Sequence, residues 1–213
     1  MKNLIFTLTT ILLLNSCACA QDITLPAPDK KGGKPLMQAL NERQSVRSFT
    51  DESLTLQQLS DLLWAANGIN RPAEKMRTAP SAMNYQEIDI YVALKNGIYL
   101  YDAEAHTLKF IKNKDIRSIT GTQNFVGNAA VNLVYVADMT KTGKSEDANI
   151  TDSDLFGPYA DAGFVAQNVY LYCASENLGC VVRGLIPREI LAAELGLKSY
   201  QKIILAQTVG KAQ

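Results

Sequence analysis

An alternating basic segment near the start of the folded part carries residue types that bind anions. Arg43, Ser45 and Arg47 are separated by one residue each, so in an extended segment all three side chains can face one ligand. Guanidinium groups bind phosphate oxygens through paired hydrogen bonds, and a hydroxyl adds another donor. The segment predicts a phosphate site, although a solvated surface loop would have the same composition.

A second polar pair lies where a loop meets a predicted strand. Ser81 and Asn84 follow Pro80 and precede the apolar residues 88–94. Loops at such positions often present polar groups to a ligand held over a sheet. The amide of Asn84 offers a donor and an acceptor, which suits the alternating carbonyl and N–H groups along the edge of a pyrimidine ring. A capping serine and a turn asparagine would explain the same two residues without a ligand.

A third segment follows the longest predicted helix. Gly179 can end that helix, and the backbone then bends at Arg183 and Gly184. Backbone N–H groups at the bend could donate to a planar ligand, or the segment is an ordinary connection from helix to strand. Lys211 follows Gly210 after the last predicted strand, where it would either add a charge to a phosphate site or point into solvent.

The apolar pattern predicts the elements that must hold these segments in place. Helical spacing of leucine and alanine is clearest over residues 55–67, and residues 159–177 form the longest candidate helix, which is apolar on most of its surface. Alternating strands and the turn signal Asn96-Gly97 predict antiparallel hairpins. The sum is an α+β domain with a mostly antiparallel central sheet flanked by helices. Further helices are predicted over residues 36–41, 115–120 and 190–195, and strands over residues 88–94, 98–101, 107–111, 130–137 and 202–209.

Length and charge restrict the classes of function. The chain has 213 residues, and residues 36–213 have the length of one domain. Its 21 lysine and arginine residues equal its 21 aspartate and glutamate residues in number and are spread along the chain. The basic surface typical of a nucleic-acid binder is therefore missing from the sequence. We expect a small-molecule partner and no nucleic acid.

The N-terminal residues have the pattern of an export signal. Residues 1–20 combine a basic start, an apolar run too short to cross a bilayer as a helix, and small residues at the end. The run from Ala18 to Ala20 fits a cleavage site, whereas Cys17 and the three residues before it are similar to a lipobox, in which this cysteine would carry a lipid anchor. Residues 21–35 are predicted to be a flexible tether. The expected location is the periplasm or, with the lipid anchor, the bacterial envelope.

The remaining reactive side chains form no metal or nucleophile pattern. Cys173 and Cys180 have neither a redox nor a zinc spacing and are predicted to be buried free thiols. His106 is the single histidine, so a histidine-based metal site has no second imidazole. This histidine lies in a predicted hairpin turn, where we expect a solvated side chain. No metal and no catalytic side chain is expected.

Three segments in a fixed order resemble the nitroreductase family of flavin enzymes, and the resemblance extends from about residue 35 to residue 211. It implies a homodimer with two FMN sites at the interface between the subunits. The segments are RQSVRSF over residues 43–49, TAPSAMNYQ over residues 78–86 and GCVVRG over residues 179–184.

The resemblance also implies a role for each cofactor-binding residue. The phosphate of FMN would be bound near the start of the domain, and the isoalloxazine ring would lie between the second and third segments. The implied contacts are Arg43, Gln44 and Ser45 to the phosphate with help from Lys211, Arg47 and Asn84 to the pyrimidine, Ser81 near the ring, and the backbone of Arg183 and Gly184 facing N5.

The activity implied is that of an FMN-dependent oxidoreductase. Hydride would pass through flavin N5 in a ping-pong reaction to or from a small organic substrate such as a nitroaromatic or a quinone, with NAD(P)H or another electron donor. Residues 97–108 and 77–82 are similar to the azoline-oxidising branch of the family, whereas residues 83–86 are closer to ordinary nitroreductases. An exported dimer that holds a flavin or another ligand without turnover is the alternative.

Overall fold

The central element is a seven-stranded antiparallel sheet with the strand order β1-β6-β5-β4-β7-β9-β8. The structure is a computed structural model that describes residues 21–213, so the leader predicted over residues 1–20 lies outside the described residues. A separate two-stranded hairpin pairs β2 with β3. The strands are β1 Ile23–Thr24, β2 Ile69–Arg71, β3 Met76–Arg77, β4 Ile88–Leu94, β5 Gly97–Asp102, β6 Thr107–Lys112, β7 Val131–Asp138, β8 Gly179–Arg183 and β9 Gln201–Gly210.

Helices cover both faces of the sheet. On one face α2 and α3 pack over a core that includes Leu62, Tyr135 and Val169, and on the other face α4 packs through Leu191. The sheet is therefore buried on both sides, which explains the continuous apolar run of β7. Over residues 21–213 the α-helices are α1 Leu36–Glu42, α2 Leu56–Asn67, α3 Phe156–Ser175 and α4 Arg188–Leu195. None of them is long and apolar enough to cross a membrane.

Local sequence signals explain where the main elements begin and end. Thr55 caps α2: its hydroxyl accepts the N–H of Gln58, and the side chain of Gln58 accepts the N–H of Thr55. The turn before β5 depends on Gly97, which has a φ of 155° and whose added Cβ would lie 2.9 Å from the carbonyl oxygen of Lys112. A side chain at this position would collide with backbone, so the hairpin requires glycine.

The predicted α+β class with its antiparallel sheet is confirmed, and most predicted elements occur within a few residues of their expected bounds. Residues 115–120 form a 3₁₀ turn over Arg117–Ile119 rather than an α-helix. The β2–β3 hairpin has no counterpart among the predicted elements. Its strands have two and three residues, too short to produce a period in the sequence.

Residues 21–35, predicted as a flexible tether, lie against the domain. Ile23 and Thr24 pair with β6 as an edge strand, and Leu25 is buried at 5% exposure. The carbonyl of Pro26 accepts the hydroxyl of Ser60 at 2.6 Å, and the N–H of Lys34 donates to Ser175 at the end of α3. A few well-placed contacts thus order a segment whose composition is that of a linker.

Candidate functional site

The basic segment borders a cavity of about 490 Å³ at the C-terminal end of α3. The cavity lies between the end of α1, the last two turns of α3 and the start of β8. Its lining includes two predicted site residues, Arg43 and Gln44, together with Tyr170, Asn177 and Ala212, which follows the last strand. The cavity is open to solvent along a mixed polar and apolar wall, as expected for a small-molecule site.

Arg43 presents an uncompensated positive charge at this cavity. It directly follows α1, and its guanidinium carbon lies 5.3 Å from the centre of the Tyr170 ring. Among residues 21–213 neither Arg43 nor the exposed Arg47 forms an ion pair. The stacking holds the Arg43 side chain in place by a cation–π contact while leaving its N–H groups available to an anion.

Tyr170 joins the basic segment to β8. Its hydroxyl lies 2.8 Å from the hydroxyl of Ser45 and accepts the backbone N–H of Val182 at 3.0 Å. The N–H of Val46 also donates to the carbonyl of Cys180 at 2.9 Å. The first and third predicted segments are thus adjacent in the fold, held together by an α3 residue that had no functional signal in the sequence.

The side chain of Arg183 has a structural role: it is hydrogen-bonded to other parts of the fold and does not face a ligand. It is buried at 5% exposure and donates to Thr208 at 2.9 Å, to the carbonyl of Thr120 at 2.7 Å and to Asn132 at 3.0 Å. Burial lowers the pKa of its guanidinium to about 10, so it remains charged at neutral pH. A ligand could still reach the backbone at Gly184, where Arg183 and Gly184 were predicted to act. Gly184 is exposed, and an added Cβ there would meet no atom within 4 Å.

Lys211 lies close to the basic segment in the fold, but its positive charge is already paired with a carboxylate. Its ammonium group pairs with Glu52, and its carbonyl accepts the N–H of Thr50. Phe49 and Ala212 form a backbone bridge beside it. The residues that follow β9 therefore contact the predicted phosphate-binding segment mainly through their backbone atoms.

The second predicted segment forms a tight loop at the other end of α3. The hydroxyl of Ser81 accepts the N–H of Gln86 at 3.0 Å, and the amide oxygen of Asn84 accepts from the Gln86 side chain at 3.1 Å. Arg77 in turn donates to Gln86 at 2.9 Å. Because its oxygen is engaged, Asn84 has its NH₂ group left to offer as a donor. Gln86 belongs to the segment over residues 78–86, but no local pattern in the sequence indicates this orienting role.

The predicted site residues thus fall into two groups along one helix. The loop around Ser81 contacts α3 at Asp161, whereas the basic segment contacts it at Tyr170. Nine residues of helix separate these two contacts, or about 14 Å at the rise of an α-helix. Only an elongated ligand could contact both groups at once.

Cys173 and Cys180 are buried free thiols, as predicted, and both line the cavity. Burial is the main cause that raises the pKa of the Cys173 thiol well above its usual value, with the neighbouring Cys180 adding to it. A protonated thiol is a poor nucleophile and a poor metal ligand. The described residues also contain no cluster of histidine, cysteine or carboxylate groups that could hold a metal ion.

Comparisons with known proteins support the family resemblance seen in the sequence. The family model described as "Nitroreductase family" matches residues 40–211. The crystal structure of a nitroreductase homologue from Ralstonia eutropha is 44% identical in sequence and superposes with a TM-score of 0.83, covering 91% of this chain and 90% of that one.

Two curated relatives are more distant. A protein of Methanocaldococcus jannaschii that carries the name nitroreductase is 28% identical over 180 residues, which span 80% of this chain and 88% of the relative. The FMN reductase [NAD(P)H] of Bacillus subtilis is 26% identical over 168 residues, which span 73% of this chain and 57% of that protein. The matched range includes all three segments that resembled a known family in sequence, and the chain belongs to the nitroreductase family.

Proposed function

We propose that this protein is an FMN-dependent oxidoreductase of the nitroreductase type acting on a small organic substrate. The observation that carries the proposal is the guanidinium of Arg43, which forms no ion pair within residues 21–213 and lies at a cavity of about 490 Å³ beside β8, the strand that precedes the exposed Gly184. Family membership supports a flavin oxidoreductase in general, and the FMN reductase relative supports this cofactor in particular. When bound, FMN supplies reversible electron transfer at its N5 position.

The donor set fits this cofactor group by group. A phosphate needs charged and neutral donors, which Arg43, Gln44 and Ser45 would supply at one end of α3. A pyrimidine edge needs polar partners such as the NH₂ group of Asn84 at the other end. The separation of about 14 Å between these groups suits an elongated molecule that carries a phosphate at one end and a ring system at the other. Arg47 adds a second cation that has no ion pair in the part of the chain that the structure describes, whereas Lys211 would first have to leave Glu52.

A homodimer belongs to the same proposal. Phe164 on α3 is 47% exposed, Phe156 at the start of that helix is 74% exposed, and Met83 in the adjacent loop is 83% exposed. Such large apolar groups on one side of a protein are typical of a covered surface. A second copy packed here would exclude water from the loop that carries Ser81 and Asn84.

Export from the cytoplasm is proposed from the pattern of residues 1–20 alone. NAD(P)H is held inside the cell, so an exported enzyme would need another donor or would pass electrons from its substrate to a quinone or oxygen. Cleavage after Ala20 would release the protein into the periplasm, and acylation at Cys17 would anchor it to the envelope.

The visible absorption spectrum of the purified protein tests the cofactor. We expect a flavin band that stays with the protein after FMN is added and free FMN is removed, and that bleaches with a nicotinamide or chemical reductant. Arg43→Ala should weaken FMN binding by about tenfold or more, because a hydrogen bond to a charged group contributes about 1.5–3 kcal/mol.

The matched control is Lys198→Ala, which removes an exposed positive charge beside α4 and should leave FMN affinity unchanged. A folded protein that retains no flavin with FMN in excess would exclude the proposal. A bound flavin that no donor bleaches would support the non-catalytic binding protein instead.

A further inference from the structure

A buried carboxyl group without a partner lies directly behind the loop that carries Ser81 and Asn84. Glu87 is 1% exposed, and within residues 21–213 neither of its carboxyl oxygens has a hydrogen-bond partner. A buried charge left without a partner is costly, so the position requires an explanation. The carboxyl of Asp161, which is 3% exposed on α3, lies beside it.

Two ionised carboxylates cannot bond to each other because both only accept hydrogen bonds. A single proton shared between them would turn one into a donor and would also remove their repulsion. The surroundings favour that proton: burial and the neighbouring Asp161 raise the pKa of Glu87 to about 7, while Lys141 acts in the opposite direction.

The pair is connected to the loop by a direct bond. Asp161 accepts the backbone N–H of Ala82 at 2.8 Å, and Ala82 begins the 3₁₀ turn Ala82–Asn84. Glu87 ends the same loop and leads into β4. One carboxyl group is therefore bonded to the start of the loop, and the other belongs to the residue that ends it.

The loop is held in a shape that it would not adopt unaided. Met83, Asn84 and Gln86 have φ angles of 51°, 56° and 50°, in the left-handed region that side chains disfavour. Such conformations persist only where the surrounding structure imposes them. The bond from Ala82 to Asp161 and the bonds to Gln86 are the contacts that impose this one.

We propose that Glu87 and Asp161 share one proton and together position residues 81–86, so that loss of this proton loosens the loop that would bind the flavin ring. While the proton is shared, Asp161 stays in place to accept the Ala82 N–H. Once it is lost, two buried negative charges repel each other and the loop is freed from its anchor on α3. The positioning of the loop stands on its own contacts, and only the effect on FMN rests on the proposed function.

Other charged groups around Glu87 and Asp161 affect the pH range over which the shared proton would be lost. Lys141 follows β7 and is held by Asp89 on β4 at 2.6 Å, so its charge is partly compensated. Arg77 on β3 borders the same small cavity as Asp161 and is held by Gln86. Within residues 21–213 neither Lys141 nor Arg77 forms an ion pair with Glu87 or Asp161, so a proton shared by the two acids is what would remove their repulsion.

Amide hydrogen exchange of the apoprotein tests the pair without any flavin. After correction for the intrinsic exchange rate, protection of the Ala82 N–H should fall as the pH rises through neutrality, by up to about tenfold per pH unit. In Glu87→Gln, which keeps a neutral donor at every pH, protection should stay constant. Glu189→Gln is the matched control, because it removes an exposed carboxyl of α4 on the opposite face of the sheet, and it should keep the wild-type pH dependence.

Equal protection in the wild type and Glu87→Gln across this range would overturn the proposal. Infrared spectroscopy of the wild-type protein keeps the test decisive if the variant fails to fold. A protonated carboxylic acid band that titrates near neutral pH supports the shared proton, and the lack of such a band would refute it. FMN affinity should weaken over the same pH range in the wild type and not in Glu87→Gln. A wild type that binds no FMN at any pH would exclude the proposed function. The hydrogen-exchange result would then still decide whether Glu87 and Asp161 share a proton.

Discussion

His106 shows how the fold changes the role of a single side chain. The sequence predicts a solvated histidine in a hairpin turn, yet its Nε2 lies 2.7 Å from the hydroxyl of Ser60 and its Nδ1 lies 3.0 Å from the hydroxyl of Tyr101. A neutral ring with its proton on Nε2 satisfies both contacts, because Nδ1 then accepts from Tyr101. Burial is the main cause that lowers the pKa of His106, against the opposing effects of the Pro26 carbonyl and Asp61.

This lowered pKa predicts a loss of stability in mild acid. Below the ordinary pKa of 6.5 the unfolded chain binds a proton at His106 that the folded protein does not, so the free energy of unfolding falls as the pH drops through this value. His106→Asn should remove that component while tolerating the local φ of 49°. The measurement is the difference in Tm between the two proteins as a function of pH, in which the contributions of the other titrating groups cancel.

That difference should shrink as the pH falls below 6.5. A difference that stays constant across the acid range would mean that His106 is not held neutral by the fold.

At the scale of elements, α2 and α3 form the rigid support of both site groups. The hydroxyl of Tyr172 on α3 donates to the carbonyl of Gln58 at 3.1 Å, in the first turn of α2. The same Gln58 completes the capping box with Thr55. The start of α2 is therefore fixed both by its own cap and by its neighbour.

Removal of this cap should destabilise the domain without changing the site. Thr55→Ala leaves the N–H of Gln58 without its side-chain acceptor, and the expected cost is about 1 kcal/mol in the free energy of unfolding. Urea denaturation measures it, with Ser53→Ala as a control that removes an exposed hydroxyl just before the cap. Equal midpoints for the two variants would show that the capping box contributes nothing measurable.

At the scale of the whole molecule, apolar surface remains where a second copy is proposed. The longest predicted helix has apolar residues around most of its circumference, and α3 buries Val165 and Val169 while leaving Phe164 exposed. One chain can cover only one face of this helix. Burial within one chain therefore does not account for the apolar residues on the exposed face of α3.

Phe164→Asp tests whether this face is an interface. A charge there would have to be buried in the dimer, so we expect a monomer by size-exclusion chromatography with light scattering, together with weaker FMN retention. Ile190→Asp is the control, because Ile190 is 60% exposed on α4, on the opposite face of the sheet. A wild-type protein that is itself monomeric, or a Phe164→Asp variant that stays dimeric, would contradict the proposed interface.

The elements with a strong apolar period and the family of the chain could be predicted from the sequence alone. Apolar spacing over residues 55–67 and 130–137 reflects burial that repeats along the chain, so this helix and this strand could be predicted without a structure. The three motif segments were recognisable by their order, and the family model matches residues 40–211.

The contacts of these residues could be known only from the folded chain. Nothing local to Arg183 shows that its guanidinium is enclosed by Thr120, Asn132 and Thr208, which come from distant parts of the chain. Glu87 and Asp161 are likewise 74 residues apart in the sequence, and their proximity depends on the packing of α3 against β4. A periodic pattern records that a residue is buried, but its partners, its charge state and its access to a ligand are set by long-range contacts that a single sequence does not encode in any local signal.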